Sequence, residues 1–286
     1  MGKKCEKING DLTVILVYMN GDLRYTCGGK VDLCMDKPVF KRKIYDEIYE
    51  WKENRSDKYA LLIKGARRVG KSTIAEEFAK KEFKSYILID FAHTSKAIID
   101  LFDDTYDLDF FFLQLQQLMG IRLYEKESVI IFDEVQLFPK ARQAIKYLVA
   151  DGRYKYIETG SLLSLKKNTK DILIPSEEHK ISMFPMDFEE FLWAIGDEVS
   201  AETIRHLIKN KKPAGNAMHR NLMRIFRLYM LVGGMPQAIE TYIEKNNLQL
   251  VDETKREIVD LYEEDFVKID GTGLAGDIYD AIPANL

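Results

Sequence analysis

The chain has 286 residues, of which 46% are hydrophobic, enough for a full α/β core and a smaller second domain. Its formal net charge of −4 argues against bulk polycationic binding of nucleic acid. No stretch reaches the roughly 18–20 apolar residues that span a bilayer, so no membrane role is expected and the chain reads as cytoplasmic. No internal repeat or low-complexity tract interrupts it.

Residues 1–37 read as a separate N-terminal extension. Lys3-Lys4 precede the apolar run Leu12–Met19, which is short and has no small-residue cleavage site after it. Asn20-Gly21-Asp22 between that run and Leu23–Cys27 predicts a β-hairpin. The three cysteines, Cys5, Cys27 and Cys34, do not suggest a disulfide framework. Their spacing and the lack of a neighbouring histidine argue against zinc.

A helical pattern runs from Phe40 to about Lys52, with Ile44 and Ile48 on one face, and Asn54-Arg55-Ser56-Asp57 ends it. A strand beginning near Tyr59 then leads into Gly65-Ala66-Arg67-Arg68-Val69-Gly70-Lys71-Ser72-Thr73. This stretch fits G-x-x-x-x-G-K-[ST], the pattern of a phosphate-binding P-loop. Gly65 and Gly70 allow a tight turn and close approach of an anion. The N–H groups of the turn and of the following helix form an anion site. Lys71 is positioned to meet the β- and γ-phosphates, and Ser72 to offer a hydroxyl to Mg²⁺. Ile74 and Phe78, four apart, predict a buried helix stripe after the turn.

Ser85–Asp90 reads as the next strand, and Phe110 to Met119 as an apolar helix whose aromatics belong to the core. Val129-Ile130-Ile131-Phe132 is a buried parallel strand that ends in Asp133-Glu134. Carboxylates at the C-terminal edge of such a strand lie where open α/β sheets bind ligands. Asp133 is the expected Mg²⁺ ligand, mostly through water, and Glu134 the expected general base. The chain has no N-K-x-D guanine-reading motif, and the adjacent Asp-Glu pair favours an ATPase. Pro139–Ala150 reads as a helix with Ala141, Ala144, Ile145 and Leu148 on one face.

Tyr154–Ser161 predicts a further strand with a polar end, where Thr159 or Ser161 can sense the γ-phosphate and hold the lytic water. His179–Phe184 reads as the last strand, broken by Pro185. From Asp187 onward only helices are expected: Phe188–Ile195 capped by Asp187, Ala201–Lys209 capped by Ser200, then 217–232, 236–245 and 252–268. Gly233-Gly234-Met235-Pro236 interrupts the series. Arg205, Lys209, Lys211, Lys212, Arg220, Arg224 and Arg227 form a basic set with no acidic residue between them. Such a set can be a solvated face, an arginine supply for a neighbouring subunit, or a track for nucleic-acid phosphates.

In their order, five stretches resemble the AAA+ superfamily: Leu62–Ser72, Ile131–Gln136, Glu158–Ser161, Phe184–Leu192 and Gly233–Ala238. They are most similar to a group of bacterial and archaeal AAA-like ATPases that carry an uncharacterised C-terminal domain. The resemblance covers roughly residues 38–270. It implies an α/β P-loop core with a parallel sheet at 38–185 and a helical lid at 186–270. It further implies a strand between the P-loop and metal strands, ATP as the nucleotide, and Pro236 near the adenine. Residues 271–286 resemble the opening of the family's C-terminal domain, so a truncated or split product is expected. The chain departs from the family in two places. No arginine finger is evident, and Met235-Pro236-Gln237 stands where many members offer a sensor arginine. Three functions follow as expectations. One is a Mg²⁺-dependent ATPase, weak or completed by a protein partner or second copy. The second is a slow nucleotide-gated switch, and the third an ATPase that contacts nucleic acid through its lid.

Overall fold

The computed structural model describes residues 15–19, 22–26, 39–103, 107–161 and 176–282. The three cysteines, the strand reading for residues 12–14 and the segment 283–286 lie outside the described residues. The chain divides into two units, Met1–Pro38 and Val39–Leu286. In the first, β1 (Ile15–Met19) and β2 (Asp22–Thr26) pair antiparallel, with Met19 opposite Asp22 at the turn end.

The second unit is built on a parallel five-stranded sheet. Its first elements are α1 (Ile44–Asn54), β3 (Ala60–Gly65), α2 (Lys71–Glu82) and β4 (Ser85–Asp90). After them come α3 (Lys96–Leu101), α4 (Leu108–Met119), β5 (Ser128–Asp133), α5 (Pro139–Asp151), β6 (Lys155–Ser161) and β7 (Glu178–Met183). The strand order is β4-β5-β6-β3-β7. β6 therefore separates β3 from β5, as the resemblance implies, and all four strand pairs are parallel.

Alternation along the strands divides the apolar side chains between two layers. Leu62, Ile87, Ile130, Phe132 and Tyr156 pack with Phe111, Phe112 and Leu115 of α4 and with Ala141, Ile145 and Leu148 of α5. Leu61, Ile63, Val129, Ile131 and Ile157 face the opposite way, onto Ile48 and Trp51 of α1 and Ile74 and Phe78 of α2. The central strands are covered on both faces, which is why they read as continuous apolar runs. Edge-to-face contacts join Phe102 to Phe91, Phe111 and Phe132. Phe110, by contrast, is exposed, so the three consecutive phenylalanines of α4 are not all core.

Among the described residues six helices follow the sheet: α6 (Phe188–Ala194), α7 (Glu198–Lys209), α8 (Asn216–Val232), α9 (Pro236–Lys245), α10 (Leu248–Ile269) and α11 (Leu274–Ala281). Phe191, Leu192, Ala201, Ile225, Val232, Ala238, Ile239 and Val251, from α6 to α10, form a shared apolar core with Met186, and α11 has no buried residue. Asp187 caps α6 through a reciprocal pair. Its carboxylate accepts from Glu190 N at 3.0 Å, and Glu190 Oε2 accepts from Asp187 N at 3.2 Å.

Two helix starts differ from the sequence reading. α7 is capped by Asp197, which accepts from Ser200 N at 3.0 Å, so Ser200 lies inside the first turn. A carboxylate there also meets the positive end of the helix dipole, an advantage serine lacks. α10 begins at Leu248, where Asn247 accepts from Gln249 N at 2.8 Å. The short α3, capped positionally by Ser95, was not expected at all.

Candidate nucleotide site

β3 delivers the glycine turn to the C-terminal edge of the sheet, and α2 begins at Lys71. Gly65 is demanded here by packing more than by the turn. A Cβ on it would sit 2.3 Å from the carbonyl oxygen of Met183 in the neighbouring β7. Gly70 has φ +96° and precedes the first helical residue, in the left-handed region that glycine occupies at least cost. Arg68 also has positive φ, 67°, and its side chain is exposed, as is Thr73. Val69 is buried against the sheet.

Several carbonyls of this turn are tied down. Lys71 Nζ donates to Ala66 O at 2.8 Å and Gly65 O at 3.2 Å. Tyr262 OH of α10 donates to Arg67 O at 2.9 Å, and Arg42 Nη1 to Val69 O at 2.9 Å. In a trans peptide the N–H points opposite to the C=O. Each bound carbonyl therefore fixes the direction of the N–H of the residue after it, at 67, 68 and 70, and a turn with ordered N–H groups is suited to an anion. The Arg67 side chain is drawn aside into an ion pair with Asp265 at 3.1 Å. Lys71 is buried, which pushes its pKa below the usual lysine value, while the charges of Glu134 and Asp133 pull it back up.

β5 brings its carboxylates to the same edge. Asp133 Oδ1 accepts from Ser72 Oγ at 2.6 Å and from Thr159 Oγ1. Thr159 Oγ1 in turn accepts from Glu134 N at 3.2 Å. The chain reverses at Glu134 in a left-handed conformation, φ 53° and ψ 44°, and Gln136 Nε2 holds its carboxylate. A non-glycine residue at positive φ is uncommon, and strained backbone tends to collect at functional sites. Ser72, Asp133, Glu134 and Thr159 are thus brought together. Ser161 lies two residues beyond Thr159, at the ladder position beside Gly65. Asp90 ends β4 beside Asp133 and accepts from Ala92 N at 2.8 Å.

The Gly-Gly-Met-Pro segment reaches the same loop. A Cβ on Gly234 would sit 2.2 Å from Met186 O, and Met186 N donates to Gly234 O at 2.7 Å. This contact seats the start of α9 so that Pro236 Cγ comes within 3.8 Å of where a Gly70 Cβ would be. Pro236 is therefore a neighbour of the glycine turn.

The donors fit the groups that the motif implies. Ser72 Oγ and the Asp133 carboxylate are adjacent hard oxygen donors, suited to Mg²⁺. The N–H cradle and the Lys71 ammonium suit a polyphosphate. Arg42, Tyr262 and Asp265 were missed by sequence reasoning, and Gln136 was read only as part of the Ile131–Gln136 stretch, without a contact to Glu134; the first three lie far from the motif in sequence.

A second polar group lies on the sheet face beneath α5. Arg142 Nε and Nη2 form a fork to Glu178 Oε1 and Oε2, at 2.7 and 2.8 Å. Glu158 is fully buried nearby, and neither of its oxygens has a hydrogen-bond partner among the described residues. Burial, then the charge of Glu178, raises its pKa well above the ordinary carboxylate range, against the pull of Arg142 and Lys180.

No helix among the described residues is long and apolar enough to cross a membrane. Over 248 residues the chain is 23% identical to an uncharacterised protein of Methanocaldococcus jannaschii, covering 81% of this chain. The match takes in 50% of the relative, so the chain spans about half the length of that curated protein. The solved structure of C. elegans PCH-2 aligns at 13% identity and a TM-score of 0.38, over 80% of this chain and 70% of that one. A family model described as an AAA domain matches residues 57–192, which contain the glycine turn, Asp133-Glu134 and Thr159. The match to the AAA-domain model over residues 57–192, together with the parallel sheet and its glycine turn, supports an AAA-like P-loop core in this part of the chain.

Proposed function

We propose that the chain binds ATP with Mg²⁺ and hydrolyses it to ADP and phosphate, using the cycle to move its helical region. The observation that carries this reading is the convergence of Ser72 and Thr159 on Asp133, beside Glu134 and the Lys71 ammonium. The loop N–H groups from Ala66 to Thr73 bind the phosphates. Lys71 releases the Gly65 and Ala66 carbonyls and turns to the β- and γ-phosphates. Ser72 and Asp133 hold Mg²⁺, which neutralises charge on the phosphate oxygens when bound. Glu134 accepts a proton from water as its oxygen bonds to the γ-phosphorus, and the bond from that phosphorus to the bridging oxygen breaks toward ADP. Thr159, with Ser161 further along the same strand, orients the water. Pro236, a neighbour of the turn, is the proposed contact for the adenine. Catalysis is mainly positioning and charge stabilisation. The setting is cytoplasmic, where ATP is supplied.

Helices 186–270 act as the lid in this reading. A second copy or another protein is the proposed source of an arginine finger. A slower, switch-like cycle is favoured by one observation. The Glu134 carboxylate is held by Gln136 and must be freed before it can take a proton. A nucleic-acid contact is supported by Arg220, Arg224 and Arg227, which share one exposed face of α8. Arg205, paired with Glu189, is withdrawn from that set.

Phosphate release from ATP by the wild type and by Glu134→Gln tests the reading. Turnover in the wild type that falls about 10²- to 10⁴-fold in the variant is the expected result for loss of a general base. Equal turnover in both would remove Glu134 from the chemistry.

A further inference from the structure

Arg42 lies just before α1, outside the motifs, yet its buried side chain reaches three separate elements. Nη1 donates to Val69 O in the glycine turn at 2.9 Å. Nη2 donates to Phe184 O, just past the end of β7, at 2.6 Å. Nε faces Glu190 Oε1 of α6 at 3.2 Å, an ion pair without hydrogen-bond alignment. The same Glu190 oxygen accepts from Lys43 N at 2.7 Å, and its other oxygen closes the cap of α6. Arg42 Nη1 and Pro236 Cγ both lie 3.8 Å from where a Gly70 Cβ would stand. One guanidinium thus sits where the phosphate loop, the sheet edge and the helical region meet.

The peptide between Val69 and Gly70 gives this placement a consequence. With Val69 O held by Arg42, the Gly70 N–H on the same peptide must point away from Arg42, toward the anion side. A guanidinium can do this while bonding Phe184 O because its donors are fixed in a planar fork. A lysine ammonium carries the charge but not the fork. Glu190 then makes the position of Arg42, and with it the position of the loop, felt at the first turn of α6.

We propose that Arg42 is a positioning residue for the phosphate loop, and that its pairing with Glu190 carries the loop's occupancy to the helical region. The proposal rests on the nucleotide-binding reading above. Arg142 serves as an internal comparison. It is also buried and also forks, but onto Glu178 at the opposite end of β7 from the loop.

The test is calorimetric titration of the full chain with ADP and with Mg-ATP. Amide hydrogen exchange across Phe188–Ala194 is followed with and without ADP. The variants are Arg42→Ala, Arg42→Lys, Glu190→Gln and Arg142→Met. Arg42→Ala should weaken both nucleotides by about 10- to 100-fold, the size of one lost charge-assisted contact. Arg42→Lys should recover the melting temperature but not the affinity, which separates positioning from folding. Glu190→Gln should keep affinity within about threefold of the wild type but lose the ADP-induced protection of α6. Arg142→Met should leave both readouts as in the wild type.

Wild-type affinity in Arg42→Lys or in a folded Arg42→Ala would overturn the positioning role. Retained α6 protection in Glu190→Gln would overturn the coupling. A wild type that binds neither nucleotide would remove the underlying reading, and the proposal with it.

Discussion

Ser72 Oγ donates to Asp133 Oδ1 across 2.6 Å, joining the first turn of α2 to the end of β5. The bond brings a hydroxyl and a carboxylate into the arrangement that a hard divalent cation needs. Removing Mg²⁺ should therefore weaken ATP binding by the wild type, and Ser72→Ala or Asp133→Asn should make binding nearly indifferent to the metal. A loss of roughly 10- to 100-fold in metal affinity is expected for either change. Titration of ATP with and without EDTA reads it, and unchanged Mg²⁺ dependence in both variants would exclude these ligands.

Thr159 links both carboxylate residues, donating to Asp133 and accepting from Glu134 N at 3.2 Å. Thr159→Val keeps the shape and removes the hydroxyl. ATP binding should persist while turnover drops about 10²-fold or more, as for a lost orienting group. Unaltered single-turnover rates would assign Thr159 to the strand end alone.

Lys71 predicts a pH effect. Burial lowers its pKa, and the charges of Glu134 and Asp133 offset part of that shift. Bound phosphates favour the charged form and raise the pKa again. Nucleotide affinity should be full below the lowered pKa and fall as pH rises through it. The stability of the free protein runs the other way. Between the lowered folded pKa and the ordinary value of 10.5 the unfolded chain holds more protons, so this group's contribution rises with pH. Titrations of affinity and melting temperature above neutral pH should show the opposed trends, and Lys71→Met should flatten both.

Two glycines should fail for the same reason at different places. A Cβ on Gly65 would press on Met183 O, and one on Gly234 on Met186 O. Each alanine variant should cost about 1–3 kcal/mol or more in chemical denaturation, because backbone atoms have to move. Gly120 has open space around it, and there only its positive φ opposes a side chain. Gly120→Ala should therefore cost less, about 1 kcal/mol. Equal losses at all three positions would contradict the packing argument.

Glu158 is a buried carboxyl with a raised pKa, so the folded state holds a proton that the unfolded chain releases above the ordinary value of 4.5. Its contribution is complete below that value and is lost as pH rises toward the raised pKa. Glu158→Met should raise stability near neutral pH by about 1–3 kcal/mol and remove this part of the pH dependence. Urea denaturation at several pH values checks both, and a destabilised variant would show that Glu158 has a partner it needs.

The central strands were legible because a sheet covered on both faces leaves unbroken apolar runs, as in Val129–Phe132. The glycine turn, Asp133-Glu134 and the Asp187 cap were legible because each depends on neighbours in sequence. What stayed hidden depends on distant parts of the chain. Nothing local marks Arg42 as the clamp on Val69, or Tyr262 and Asp265 as the contacts of Arg67. A second constraint on Gly65 stayed hidden for the same reason, since it comes from Met183 on another strand. Ser200 lost its capping role to Asp197 because two cap residues stood within one turn and the charged one meets the helix dipole. Arg142, Glu158 and Glu178 are ordinary surface residue types, and only the tertiary fold buries them.

The central claim is that the glycine turn of this chain binds ATP. Equilibrium titration with Mg-ATP for the wild type and Lys71→Ala tests it most directly. Saturable, one-to-one binding by the wild type, weakened at least tenfold in Lys71→Ala, is the predicted result. A folded wild type with no ATP binding, or equal binding in both, would contradict the account.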